Sequence, residues 1–134
     1  MRNNNLITIG NGKLKINYDP QREVGGIMLG QMGKDDCSFV VSRIVQFKNK
    51  AAHPEFYQLP RSIWVFLRVL PYLLLGEQII GEWHTHINGR KHPTPQDERA
   101  ISRQVQLFGK YLLGIVSENE MRIYRYEYQQ KNKQ

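Results

Sequence analysis

The chain has a single cysteine, Cys37, in 134 residues. One thiol can close no intrachain disulfide and build no thiolate metal cage, which points to a reducing compartment and a cytoplasmic protein. Long apolar runs are missing as well. The N-terminal MRNNNLITIG holds no stretch that would serve as a signal peptide. The greasiest segment, Ile63 to Leu75, is broken by Arg68 and Pro71. It is too short to span a bilayer, so no membrane partner is expected, and it reads as a buried core helix. No internal repeat or linker interrupts the chain, which gives one domain over residues 1–128 and a polar tail over 129–134. Hydrophobic residues at 40% and charged residues at 23% exclude the disordered class and suffice for one core.

Acidic residues are few relative to basic ones, and the formal net charge is +7. Such a balance suits an acidic partner surface or nucleic acid. The basic residues are scattered, however, and the densest cluster, Lys131 and Lys133, lies in the tail. That pattern describes a solvated face, and nucleic-acid binding is not expected.

Short apolar alternations at Leu6–Ile9 and Leu14–Tyr18 flank Gly10-Asn11-Gly12 and predict a hairpin. Glu23–Leu29 carries two adjacent glycines and reads as a strand whose backbone is closely approached. Phe39–Phe47 is the next strand, and Lys48 to Leu59 a loop. Pro60 opens a helix through about Leu70, with Pro71 kinking or ending it. Gln78 to His86 reads as a strand, Ile87 to Pro93 as a loop, and Thr94 to Phe108 as a helix stopped by Gly109. Tyr111–Val116 and Met121–Tyr128 form two last strands joined by a turn over Ser117 to Glu120. Strands interleaved with helices make an α/β fold.

The chemistry lies in Glu82-Trp83-His84-Thr85-His86 and in Thr94-Pro95-Gln96-Asp97. Residues two apart on a strand share a face, so His84 and His86 project side by side with Cα atoms roughly 6.5–7 Å apart. The seven residues from Ile87 to Pro93 let the chain return and present Asp97 from a first helical turn. Two imidazoles and one carboxylate suit Zn2+ and leave a fourth tetrahedral position for water. Taken alone, His-x-His on a strand is more often a surface or core pair. Thr94, Pro95 and Asp97 also read as an N-cap, a first helical residue and a dipole-compensating acid. That reading is compatible with ligation, because a capped turn is a rigid mount.

His84-Thr85-His86, seven residues, Thr94, two more and Asp97 resemble the JAMM (MPN) motif, His-x-His-x(7)-Ser-x(2)-Asp. Glu23-Val24-Gly25-Gly26-Ile27-Met28-Leu29-Gly30 resembles the family's upstream glutamate element. Gly81 to His86 is similar to bacterial members, including those of antiphage CBASS operons and integrative elements. The resemblance covers roughly residues 14 to 126. It implies an MPN (cytidine-deaminase-like) sandwich, a mixed sheet flanked by helices. It further implies a zinc metallopeptidase or isopeptidase with His84, His86 and Asp97 as ligands and Glu23 as general base and acid. Thr94, at the serine position, would donate to the oxyanion. The implied partner is the tail of a ubiquitin-like protein or its conjugate. In the CBASS-type setting this is a nucleotidyltransferase conjugate; a close variant is maturation of a sulfur-carrier or ubiquitin-like precursor. A non-catalytic MPN-like binding module is the other class, though such members usually lose metal ligands. Two positions depart from the pattern: Ile87 replaces a common proline, and Thr94 adds a methyl group beside the reacting carbonyl.

Among the eight glutamates, composition does not select Glu23; the resemblance does. Its rival Glu82, two residues before His84, is placed in a supporting shell. His53 and His92 read as exposed loop histidines, and Cys37 as an inert buried thiol. Trp83 and Thr85 should point away from the metal face and pack against the helices. Tyr124, Tyr126 and Tyr128 alternate on one strand face as partly buried core.

Overall fold

The computed structural model describes residues 2–8, 16, 19, 21–33, 38–87, 90–117 and 120–128. The elements run β1 (Arg2–Thr8), β2 (Gly25–Met32), β3 (Phe39–Phe47), α1 (Ser62–Leu74), β4 (Gln78–Thr85), α2 (Pro95–Phe108), β5 (Lys110–Ser117) and β6 (Glu120–Glu127). The strands form a six-stranded mixed sheet in the order β1-β6-β5-β4-β2-β3. Among the described strands only β4 and β5 pair in parallel; the other neighbours are antiparallel. The expected α/β fold is present. Of the strand expected at Leu14–Tyr18 only Ile16 is described, and the Gly10-Asn11-Gly12 turn and Cys37 lie outside the described residues.

Cross-strand register fixes which residues share a face. One row reads Val45, Ile27, Glu82, Leu113 and Tyr124 from β3 to β6; the next reads Phe47, Gly25, His84, Ile115 and Arg122. Both helices cover this face. Val65 and Val69 of α1 pack on Ile27, Leu29, Val45 and Phe47, while Ile101 of α2 packs on Tyr111, Leu113, Ile115 and Tyr124. The opposite face carries Met28, Ile80, Trp83, Leu112, Val116, Met121 and Ile123, with Ile16 and Phe39 among the side chains laid against it. Trp83 is fully buried there. It points away from the histidines as expected, but it packs on sheet side chains, because the helices lie on the other side. Central strands buried on both faces need apolar residues at odd and even positions alike, and β5 (KYLLGIVS) has them.

Two expectations about α1 are corrected. The helix runs through Pro71 to Leu74. Proline removes one backbone donor, at a cost of about 3 kcal/mol, but Val69, Tyr72 and Leu73 on either side are anchored to the β2–β3 cluster. The helix ends instead where Gly76 adopts a φ of 95°. Nor is α1 a buried core helix. It rests on the sheet by one side, and Trp64, Leu67 and Leu74 are 61%, 50% and 78% exposed. Among the described residues no helix is long and apolar enough to cross a membrane.

The paired glycines have a local cause. A Cβ on Gly26 would collide with the Val45 carbonyl of β3, and one on Gly25 would meet the Trp83 carbonyl and lie 2.9 Å from His84 Cβ. The close approach foreseen at this pair is made by the protein's own flanking strands. Gly25 thereby leaves space for the imidazole opposite it.

Leu112 is fully buried between β4 and β6. Leu112→Ala is expected to lower unfolding free energy by about 2–5 kcal/mol, read as a lower urea midpoint with unchanged slope.

Candidate metal centre

The two histidines lie at the end of β4 and just beyond it. His84 projects from its last turn of pleat, and His86 follows immediately, its N–H donating to Val116 O at 3.1 Å. Their Nε2 atoms converge to 3.1 Å. His86 Nδ1 lies 3.1 Å from Arg90 O. A carbonyl only accepts, so Nδ1 donates to it, and Nε2 is the ring atom that faces inward. The Tyr57 ring stacks near-parallel on His84 at 6.2 Å, its hydroxyl donating to Phe47 O at 3.0 Å.

α2 supplies the carboxylate. Thr94 is the N-cap: its hydroxyl oxygen accepts from Asp97 N–H at 3.1 Å, and Asp97 Oδ2 accepts from Thr94 N–H at 2.9 Å. This reciprocal box satisfies two otherwise orphaned donors and fixes the Asp97 rotamer. The same carboxylate reaches both imidazoles, with Oδ1 3.3 Å from His84 Nε2 and Oδ2 3.1 Å from His86 Nε2. Burial works to raise the Asp97 pKa. Hydrogen bonds from His84 and His86, the His84 charge and the Thr94 N–H outweigh it, and hold the carboxyl well below the usual carboxylate range.

Those separations are a test of fit. Donors 2.0–2.1 Å from a tetrahedral zinc lie about 3.3–3.4 Å from one another. The edges found here, 3.1 to 3.3 Å, match within a few tenths of an ångström. The set is compatible with a metal ion such as zinc.

Glu23 completes the cluster. It is buried, and a carboxylate oxygen lies within 4.8 Å of ligand atoms on both His84 and His86. Its Oε1 is buried with no hydrogen-bond partner. Burial, then the charges of Asp97 and Glu55, push its pKa up to about 8. Two buried acids beside one another cannot both ionise cheaply, and Asp97 holds the stronger set of donors.

The backbone of Glu23 is tied down by the loop over Lys48 to Leu59. Glu23 N–H donates to Pro54 O at 2.9 Å, and Asn49 Nδ2 donates to Glu23 O and Phe56 O, both at 2.9 Å. Asn49 Oδ1 in turn accepts from Ala51 and Gln58 N–H. Asn49 is thus a positioning residue that sequence reasoning missed. An Asx turn onto Ala51 was readable there; the grip on a residue 26 positions earlier was not.

Other candidates fall where they can be named. Thr94 and His53 line a cleft of about 600 Å³ with Glu23, His86 and Asp97. His53 Nδ1 accepts from Glu55 N–H at 3.2 Å, and His92 Nδ1 meets Tyr124 OH at 2.9 Å. Neither histidine belongs to the convergent set. Tyr124 is core, Tyr126 OH donates to Glu98 at 2.6 Å, and Tyr128 is exposed. Glu82 shares the His84 face but turns to Tyr111, whose hydroxyl donates to its Oε2 at 2.7 Å. Burial lifts the Glu82 pKa to about 7 against the opposing Tyr111 bond.

These shifts give the metal-free protein a signed pH dependence. Between pH about 5 and 8, unfolded Glu23 and Glu82 are ionised while the folded protein retains their protons, so stability falls as pH rises. In urea melts with chelator at pH 5, 6.5 and 8, Glu23→Gln should show a shallower decline than the parent. Equal slopes would refute the assignment.

The family model described as prokaryotic homologs of the JAB domain matches residues 15–127. No curated protein matches significantly. Among solved structures, the solution structure of protein DSY2949 from Desulfitobacterium hafniense aligns with a TM-score of 0.54 and 21% identity, over 73% of this chain and 61% of that one. This chain therefore spans less than two thirds of that neighbour's length, and the likeness speaks for the fold alone. The motif order, the assembled donors and a model match over most of the sequence agree, and the chain belongs to the family of prokaryotic homologs of the JAB domain, within the JAMM/MPN group.

Proposed function

We propose that the protein is a cytoplasmic zinc-dependent peptidase or isopeptidase that cleaves the amide bond after the C-terminal tail of a ubiquitin-like modifier or its conjugate. The observation that carries this reading is the convergence of His84 Nε2, His86 Nε2 and the Asp97 carboxylate beside a buried carboxyl, Glu23, whose Oε1 has no partner.

His84, His86 and Asp97 would hold the metal, and Glu23 would stand beside it as the proton carrier. A zinc ion so held supplies Lewis acidity, activating water near neutral pH and polarising the scissile carbonyl. Glu23 takes a proton from the attacking water and hands it to the leaving amine. In the metal-free site burial and the neighbouring acids let it hold a proton near neutral pH; a cation beside it would favour release. Thr94 already accepts from Asp97 N–H, which leaves its hydroxyl proton to donate toward the developing oxyanion in the cleft. Tyr57 against one face of His84 and the Asn49 clamp on Glu23 keep both groups in register.

The biological setting we favour is CBASS-type antiphage signalling, in which the substrate is a nucleotidyltransferase conjugate. Clipping a ubiquitin-like or sulfur-carrier precursor uses the same chemistry.

Glu23→Gln should retain stoichiometric zinc by calorimetry while cleavage of a tail–lysine conjugate falls about 10²–10⁴-fold. His84→Ala should lose both. Parent protein that takes up no zinc, or takes it up and cleaves no tail conjugate, would leave a non-catalytic binding module as the reading. Normal cleavage by Glu23→Gln would remove Glu23 from the mechanism.

A further inference from the structure

Glu82 occupies a place where the sheet has no structural need of a carboxyl group. Its cross-strand neighbours are Ile27 and Leu113, and the row continues to Val45 and Tyr124. A carboxyl group in such surroundings costs folding free energy unless its oxygens are matched by donors. Tyr111 OH, at 2.7 Å, matches one of them. Among the described residues no ion pair is formed with Glu82. Arg68 on α1 is stacked instead on the Phe47 ring, 4.7 Å from its centroid.

The carboxyl group lies on the floor of a groove of about 650 Å³ between α1 and α2, walled by Val65 and Phe66 on one side and Ala100 and Phe108 on the other. A second polar group lines this groove from α2. Gln104 Oε1 is buried and has no hydrogen-bond partner. Gln104 Oε1 is buried and Glu82 half-buried, and both offer acceptor oxygens, so an occupant that satisfies them brings donors at its tip and an apolar stem behind it. Arginine and lysine have that construction.

Register locates the occupant. Phe56 lines both this groove and the metal cleft, so the two adjoin. Glu82 precedes His84 by two residues on the same face of β4, about 6.5–7 Å along the strand, and an extended peptide advances about 3.3 Å per residue. A chain whose scissile carbonyl sits at His84 and His86 therefore places the side chain two positions upstream over Glu82.

We propose that the α1–α2 groove is a specificity subsite for an arginine or lysine two residues before the one whose carbonyl is attacked, with Glu82 and Gln104 accepting from its cationic head. The position of the subsite along the substrate rests on the peptidase reading above. The pairing of a cation with Glu82 does not.

The test uses fluorescein-labelled hexapeptides with a free C-terminal carboxylate, identical except for Arg, Lys, Leu or Glu at the third residue from the end. Each is titrated by anisotropy into the full chain as purified and after zinc addition. The Arg and Lys peptides should bind about tenfold tighter than the Leu peptide, and the Glu peptide weakest. Glu82→Gln should erase most of that preference while zinc stoichiometry stays at the parent value, and Gln104→Leu should reduce it. Gln104 lies on α2, so its variant keeps the test alive if Glu82 variants fail to fold. Equal binding of Leu and Arg peptides, no binding of any peptide, or a preference that survives both substitutions would overturn the subsite. Preferred binding of basic peptides without cleavage of any conjugate would leave the subsite and remove the peptidase reading. Cleavage with no preference at that residue would do the reverse.

Discussion

One carboxylate holds the site and the fold in a single geometry. Asp97 is the third residue of α2, where its Oδ2 accepts from the N-cap amide of Thr94, and it spans both histidine Nε2 atoms. The first contact sets where α2 begins; the second sets where that beginning must lie relative to the end of β4. Positive potential at a helix N-terminus favours the ionised acid, and so do the two imidazoles. Burial opposes ionisation and loses. The negative charge that a cation needs is thus established by the helix start before any cation arrives. Substituting Asn would preserve much of the cap and sacrifice the charge, which is why the two roles can be separated experimentally despite sharing one side chain.

Three acids on this side of the sheet show how surroundings divide roles among like groups. Asp97 is surrounded by donors and stays ionised. Glu23 has a buried oxygen without a partner and the charge of Asp97 nearby, so it holds its proton to about pH 8. Glu82 is pushed the same way by burial but is moderated by the Tyr111 hydroxyl. A ligand must be ionised, and a proton carrier must be able to hold and release. The environments separate the first two along that line, with no need of different residue types.

Much of the site was legible because its signals are local. The His84–His86 spacing has the period of a strand, and Thr94-Pro95-Gln96-Asp97 is a helix start in its own right; both appear as read. Gly109 closes α2 with a φ of 78°, as a glycine after an amphipathic run should. What could not be read depends on partners far along the chain. Asn49 grips Glu23 across a loop without periodicity. The outward apolar face of α1 could not be told from a buried one, since composition records hydrophobicity and not what covers it. Pro71 stays within α1 because tertiary anchoring on both sides outweighs a local penalty. Strand alternation places Trp83 on the side of the sheet away from the histidines but cannot name its neighbours, because alternation does not say which face the helices choose.

Connectivity explains why β4 is the strand that carries the ligands. It is the first strand of the one parallel pair among the described strands, β4 and β5, and α2 makes the crossover between them. A β–α–β unit brings the carboxyl end of its first strand beside the amino end of its helix, the arrangement in which open α/β sheets gather ligands. Hairpins cannot do this, since they return the chain directly along the strand just left. His84 and His86 at one end of that step and Asp97 at the other are therefore neighbours by topology before side-chain packing refines them. Glu23 approaches from the start of β2, the strand on the other side of β4. Its backbone is joined to β4 by reciprocal contacts one residue on, Thr85 N–H to Val24 O at 2.8 Å and Val24 N–H to Thr85 Oγ1 at 3.0 Å. Thr85 points away from the metal face, yet its hydroxyl holds the strand that delivers the fourth group. That gives the middle residue of His84-Thr85-His86 a physical reason to bear a hydroxyl: a valine of similar shape would keep the pleat and the backbone contact but leave Val24 N–H without its acceptor.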